Sequence, residues 1–160
     1  KSEIYLIKDK GNIFYKKLLE RFRNNKNFIE KKIHFFDSMN LEEYLRNLGT
    51  SSVLLDPLYY GAGNSFFESM VYGTPTITLP TDHIKSRLVL GAYKQMEVSD
   101  APIANSVDEY IKLAIEYANN DKLFEIKERY RKAAESKLFN THQAGIEFNQ
   151  LILNLFKKAN

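Results

Sequence analysis

The chain of 160 residues has no cysteine, which excludes disulfide bonds and thiolate chemistry and is compatible with a reducing compartment. It has no apolar run approaching the roughly 20 residues that cross a bilayer as a helix, so no membrane partner is expected. Neither sign of charge dominates: 23 basic and 20 acidic residues leave a net charge of +3. The two signs are interspersed rather than striped, and nucleic acid is not suggested as a partner either. No cluster of histidines and carboxylates has metal-ligand spacing and no Asp-x-Asp pair occurs, so neither a metal nor another cofactor is expected. Internal repeats, low-complexity tracts and linkers are lacking too, and the length suits one domain over residues 1–160. The first residues carry neither a signal peptide nor an initiator Met and enter a strand almost at once. A piece of a longer, cytoplasmic protein is the expectation.

What is present is the composition of an ordinary globular protein, 44% hydrophobic and 27% charged. Apolar, β-branched runs at Glu3 to Ile7, Lys31 to Phe36, Ser52 to Leu55 and Thr76 to Leu79 read as strands, with Pro102 to Ala104 a short last one. The run Ser52 to Leu55 is continuous, as in a strand buried on both faces. Between the strands lie helical spacings. Phe14, Leu18, Leu19 and Phe22 share one face, and Leu41, Tyr44, Leu45 and Leu48 follow a cap at Asn40 and stop at Gly49. A further helix starts at Thr81 to His83 and runs through Leu90. Ser106 with Glu109 forms a capping box opening a helix to about Ala118. Helices opened by Asp121 and Thr141 complete the chain, the last over about 141–159 with Ile146, Phe148, Leu151, Leu155 and Phe156 as its apolar residues. Alternating strands and helices followed by helices predict an α/β fold: a Rossmann-like, doubly wound parallel sheet with helices on both faces.

The stretch Leu54 to Pro75 organises the rest. It reads as a strand, a loop punctuated by Gly61 and Gly63, and a helix that stops at Gly73. Glycines let a backbone turn sharply and approach a ligand, and N–H groups at the following helix start favour phosphate. Asn64 and Ser65 are good N-caps, and Glu68 sits about one turn further, placed for a ribose diol. The same residues also read without a ligand, because Ser65 and Glu68 match a capping box. Ligands of doubly wound sheets bind beyond the carboxyl ends of the strands, where the loops Asp37 to Asn40, Asp56 to Ser65 and Pro80 to His83 all fall.

His83 beside Asp82 is the histidine best placed for acid–base chemistry, though a His-Asp pair at a helix start also serves as a cap. His34 lies in a predicted strand and reads as structural, and His142 has no evident partner. No residue is assigned a catalytic role.

Four stretches then resemble the C-terminal half of the O-linked N-acetylglucosamine transferase family, in particular its bacterial members fused to tetratricopeptide repeats and the related SPINDLY-type proteins. They are Leu55-Asp56-Pro57; Gly63-Asn64-Ser65 with Glu68; Gly73-Thr74-Pro75 to Leu79-Pro80; and Ser86-Arg87. A fifth, Leu138-Phe139-Asn140-Thr141, is similar to that family's closing segment, and all five keep one colinear order. The resemblance implies the donor-binding half of a two-domain GT-B glycosyltransferase, with a UDP-sugar as donor and a protein acceptor bound through a domain that precedes this one. The donor diphosphate would rest on Gly63, Asn64 and Ser65 beside Gly61, the ribose on Glu68, and the base against Met39, Leu41 and Tyr44. Asp82, His83 and Arg87 would approach the phosphates or the sugar. Familiar eukaryotic members carry Asp at Glu68, two Thr at Asn64 and Ser65, His at Gly63, and Lys and His at Leu41 and Tyr44. The family's Gln and Lys that stabilise the leaving diphosphate precede the segment matching Glu3 to Ile7. The full protein is thus expected to transfer N-acetylglucosamine or a similar sugar to protein hydroxyls, and this piece alone to be inactive. A nucleotide-sugar sensor or interaction module, or a UDP-sugar epimerase-like domain, are the alternatives.

Overall fold

In a computed structural model residues 3–25, 32–139 and 142–159 are described, and the chain divides into two units, Lys1–Thr50 and Ser51–Asn160. The first unit runs β1 (Ile4–Ile7), α1 (Ile13–Arg21), β2 (Ile33–Phe36) and α2 (Leu41–Thr50). The strands pair in parallel, Ile4 opposite Ile33 through Ile7 opposite Phe36. Tyr5 stacks across the pair on His34 and Phe36, with ring centroids 5.1 and 5.4 Å apart. His34 Nε2 also meets Glu3 Oε2 at 3.1 Å, with both side chains exposed.

Side chains open both helices of this unit. Asp9 accepts the N–H groups of Ile13 and Tyr15 at 2.8 and 3.2 Å, occupying donors that the first turn of α1 leaves free. Asn40 Oδ1 accepts the Glu43 N–H at 2.9 Å, and the Glu43 carboxylate accepts the Asn40 N–H at 3.3 Å. This is a reciprocal capping box. Gly49, expected to end α2, lies inside it. Among the described residues only Gly73 is a glycine with positive φ, and a glycine stop needs that conformation.

The second unit runs β3 (Leu54–Leu55), α3 (Asn64–Met70), β4 (Thr76–Ile77), a 3-10 turn (Ile84–Ser86), α4 (Leu88–Met96), α5 (Val107–Ala118), α6 (Leu123–Ala133) continuing into a π turn (Ala134–Leu138), and α7 (His142–Ala159). β3 and β4 pair in parallel, Leu54 opposite Thr76 and Leu55 opposite Ile77. Thr78 makes a parallel bridge to Ile103, inside the short strand expected at Pro102 to Ala104. The molecule is therefore α/β, and the described strands form a two-stranded parallel sheet in each unit. Leu55 is exposed and Leu54 half-buried, so the third strand is not buried on both faces as its apolar run suggested. It is also only two residues long.

The core of this unit lies between α3, α4 and α6 with its π turn, around Phe66, Met70, Val89, Tyr93, Met96, Tyr130 and Leu138. Phe66 and Tyr130 each meet the Tyr93 ring edge-on, at 5.2 and 5.8 Å. Full burial of one such apolar side chain contributes about 1.5–3 kcal/mol. Gly73 ends the turn after α3 with φ +67°, and a Cβ there would stand 1.8 Å from the Lys127 carbonyl oxygen on α6. That position is closed to any other residue by both conformation and space.

Two expectations about the helices change. The segment from Thr81 opens as the 3-10 turn Ile84–Ser86, and α4 starts only at Leu88. Ile146, Phe148, Leu151, Leu155 and Phe156 on α7 are each more than half exposed, so the last helix does not pack as a terminal core helix. Its expected cap, Thr141, lies outside the described residues.

Candidate functional site

The geometry begins at Asp56, the first residue after β3. It is only 3% exposed, yet its carboxylate is satisfied by neutral donors. Oδ1 accepts the Ala62 N–H at 2.5 Å and Oδ2 the Thr78 hydroxyl at 2.6 Å. Burial pushes its carboxyl above the ordinary range, while the Thr78 hydroxyl and the Ala62 N–H pull it back. Its backbone is held as firmly: its N–H donates to Ile77 and its carbonyl accepts the Tyr110 hydroxyl at 2.9 Å. Residues 57–62 thus form a closed loop between two anchors.

A second tie joins this loop to the one after β4, where the Gly61 N–H donates to the Lys85 carbonyl at 2.9 Å. A Cβ at Gly61 would lie 2.9 Å from that oxygen and 3.2 Å from Asp56 Oδ1, so only glycine fits without displacement. Lys85 in turn places its ammonium 5.5 Å from the centroid of the Tyr60 ring. The loop after β4 is braced from within by Ser86, which is buried. Its hydroxyl donates to the His83 carbonyl, accepts the Thr81 N–H, and lies 2.6 Å from Thr81 Oγ1. Of the sequence-predicted residues, Gly61, Gly63, Asn64, Ser65, Glu68, Asp82, His83 and Arg87 all belong to these two stitched loops or to α3.

Gly63, with no side chain to offer, is the N-cap of α3. The capping box expected from Ser65 and Glu68 is therefore not formed. Ser65 is the second residue of the helix, too far along to be its cap. The Phe66 N–H returns to the Gly63 carbonyl at 3.0 Å, and the N–H groups of Asn64 and Ser65 have no intrahelical acceptor. One face of α3 is committed to the core through Phe66, Ser69 and Met70. Asn64 is exposed, and Ser65 and Glu68 are half-buried. Among the described residues these three side chains have no protein hydrogen-bond or ion-pair partner, so a carboxylate with two acceptor oxygens stands one turn into the helix and uncommitted.

Arg87 is held by one guanidinium N–H on the Thr81 carbonyl at 2.9 Å, and among the described residues its other donors have no protein partner. Asp82 and His83 are both exposed and do not pair with each other, and the His83 N–H meets Thr81 Oγ1 at 3.3 Å. The dyad suggested by their adjacency is not formed. Among the described residues no three histidines or carboxylates gather as a metal-holding group.

Met39, Leu41 and Tyr44 belong to the first unit. Met39 lines a groove of about 370 Å³ with Phe36, Asp37, Ser38, Glu43, Arg46 and Asn47, at the end of β2 and the start of α2. Its sulfur accepts from Asn47 Nδ2 at 3.1 Å. Leu41 is exposed and Tyr44 half-buried, and neither lines that groove.

In the sequence Asp56 and Ser86 stand out only as parts of motifs, and Thr78 only as part of a strand. A signal was present in Asp56 itself, a carboxylate set directly between an apolar strand and a glycine loop. Its partner 22 residues away was not readable.

A model of glycosyl transferase family 41 matches residues 13–148. The chain is also similar in structure to a K341M mutant of the O-GlcNAc transferase of Thermobaculum terrenum, with a TM-score of 0.78 at 17% identity. That likeness shows a shared fold, and it covers 99% of this chain but 32% of the other, so the chain spans about a third of that protein's length. No curated protein sequence matches it. Because the family model extends over most of the chain, the chain belongs to glycosyl transferase family 41.

Proposed function

We propose that this chain is the donor-binding part of a glycosyltransferase, built as the doubly wound second half of a two-domain GT-B protein, and that it binds a UDP-sugar at the loop 56–65 and α3. The observation that carries this reading is the pair of stitched loops beyond β3 and β4, leading into a helix whose first turns hold Asn64, Ser65 and Glu68 without protein partners. In this reading the diphosphate lies against the N–H groups of Gly63 to Ser65, which attract an anion. Glu68 accepts the two ribose hydroxyls, and Arg87 brings its open donors to the phosphates. The full protein would transfer N-acetylglucosamine or a similar sugar to a protein hydroxyl, by positioning donor and acceptor and by stabilising the departing diphosphate.

The test is titration of UDP into the chain, followed by calorimetry or by NMR of the Gly61, Gly63 and Asn64 amides. Saturable binding is expected, weakened about tenfold or more in Glu68→Ala, as for loss of hydrogen bonds to a charged group. No binding at millimolar UDP, or equal binding by the variant, overturns the assignment.

A further inference from the structure

The polar group most thoroughly embedded beside the proposed site does not reach it. The Asp56 carboxylate is buried and spends both oxygens on protein donors. Among the described residues no cation pairs with it, so its charge is compensated by the Ala62 N–H and the Thr78 hydroxyl. A buried carboxylate without a counter-ion is costly compared with an apolar residue of similar size, which makes stability alone a poor reason for its presence. What it does uniquely is geometric. Three of its polar contacts anchor it to the end of β4 and to α5, through Ile77, Thr78 and Tyr110. The fourth reaches across the loop to Ala62, the residue before the N-cap of α3. Ala62 also packs on the core cluster, and Gly61 beside it is tied to Lys85.

We propose that Asp56 is a positioning residue for donor binding: acting through the Ala62 N–H and the Thr78 hydroxyl, it holds the loop 57–63 in the one conformation that presents Gly63, Asn64 and Glu68 to the ligand. The proposal rests on the donor-site reading above. Its logic is preorganisation, since a loop held in its bound shape before the ligand arrives loses less conformational freedom on binding. An asparagine at position 56 can reproduce both contacts. Its Oδ1 accepts from Ala62, and its Nδ2 donates to the Thr78 hydroxyl, which is able to accept as well as donate. An alanine can reproduce neither.

The experiment compares the chain with Asp56→Asn and Asp56→Ala, using UDP as the probe and the hydrogen-exchange rate of the Ala62 amide as a second readout. In the unsubstituted chain the Ala62 amide is expected to exchange at least about tenfold more slowly than that of the exposed Tyr59. Asp56→Asn keeps that protection and binds UDP within about threefold. Asp56→Ala loses the protection and binds at least about tenfold more weakly, with far-UV circular dichroism unchanged. The amide protection and the asparagine rescue need no folded alanine variant, so a failure of Asp56→Ala to fold still leaves the proposal open to refutation. It is overturned if the Ala62 amide exchanges as fast as that of Tyr59, if Asp56→Asn binds as weakly as a loop without its tie, or if folded Asp56→Ala binds UDP like the unsubstituted chain. Should the unsubstituted chain not bind UDP at all, the donor-site reading fails and this role falls with it. Should it bind and the folded alanine variant bind equally, the role of Asp56 alone fails.

Discussion

Asp56 brings opposing physical effects together on one side chain, and its titration follows from their balance. Burial disfavours the carboxylate and raises its pKa, and the two hydrogen bonds oppose that only in part. A carboxyl whose folded pKa lies above its unfolded value contributes its full share of stability below the ordinary carboxyl range. That share is lost as pH rises through the folded value. Asparagine at this position cannot ionise and keeps the same contacts. The stability of Asp56→Asn relative to the unsubstituted chain is therefore expected to rise as pH climbs above the ordinary carboxyl range, as measured by urea unfolding. A difference that stays flat or falls with pH would show that the hydrogen bonds outweigh burial.

At the scale of elements, β4 shows how a strand can be short without leaving its backbone unpaired. On one side its neighbours are β3 residues, with the Leu54 N–H on the Pro75 carbonyl and the Asp56 N–H on the Ile77 carbonyl. On the other side, at Thr76, no strand stands among the described residues. The Tyr93 hydroxyl accepts the Thr76 N–H at 2.7 Å and donates to the Thr76 carbonyl at 3.1 Å. One tyrosine of α4 thus replaces a neighbouring strand at this residue, and burial drives its own pKa far upward. Tyr93→Phe would leave a buried N–H and carbonyl without that partner and is expected to destabilise the chain by about 1–3 kcal/mol. Urea unfolding monitored by circular dichroism measures it, and a loss below about 0.5 kcal/mol would show that water takes over the hydroxyl's part. Helix starts were more legible. Asn40 caps α2 as read, and Ser106 accepts the Glu109 N–H at the start of α5 at 3.1 Å. The Glu109 carboxylate, however, reaches the Asn105 N–H and side-chain amide instead of completing the box on Ser106.

For the whole molecule, the distribution of buried area matters more than the apolar pattern. The second unit draws its core from α3, α4 and α6, whereas α7 carries a comparable number of large apolar residues without burying them. Replacing Leu151 and Phe156 together by serine is expected to change the unfolding free energy by no more than about 0.5 kcal/mol each. Phe66→Ala, at 1% exposure, should cost about 3–5 kcal/mol. Both follow from thermal and urea denaturation, and a loss from the α7 pair approaching that of Phe66→Ala would mean that α7 is packed in solution.

The amino-acid sequence by itself determined the order of strands, loops and helices, the caps at Asn40 and Ser106, the stop at Gly73 and the match to glycosyl transferase family 41. These rest on interactions within a few residues, where side-chain type and spacing set the local backbone. Only the tertiary structure decided that Asp56 clasps Ala62 and Thr78, that Gly63 and not Ser65 caps α3, that Tyr93 takes the place of a strand beside Thr76, and that α7 stays exposed. The Asp56–Thr78 and Tyr93–Thr76 contacts join partners 22 and 17 residues apart along the chain, and the exposure of α7 depends on the area left to bury once the core is filled. Neither is encoded in any local pattern.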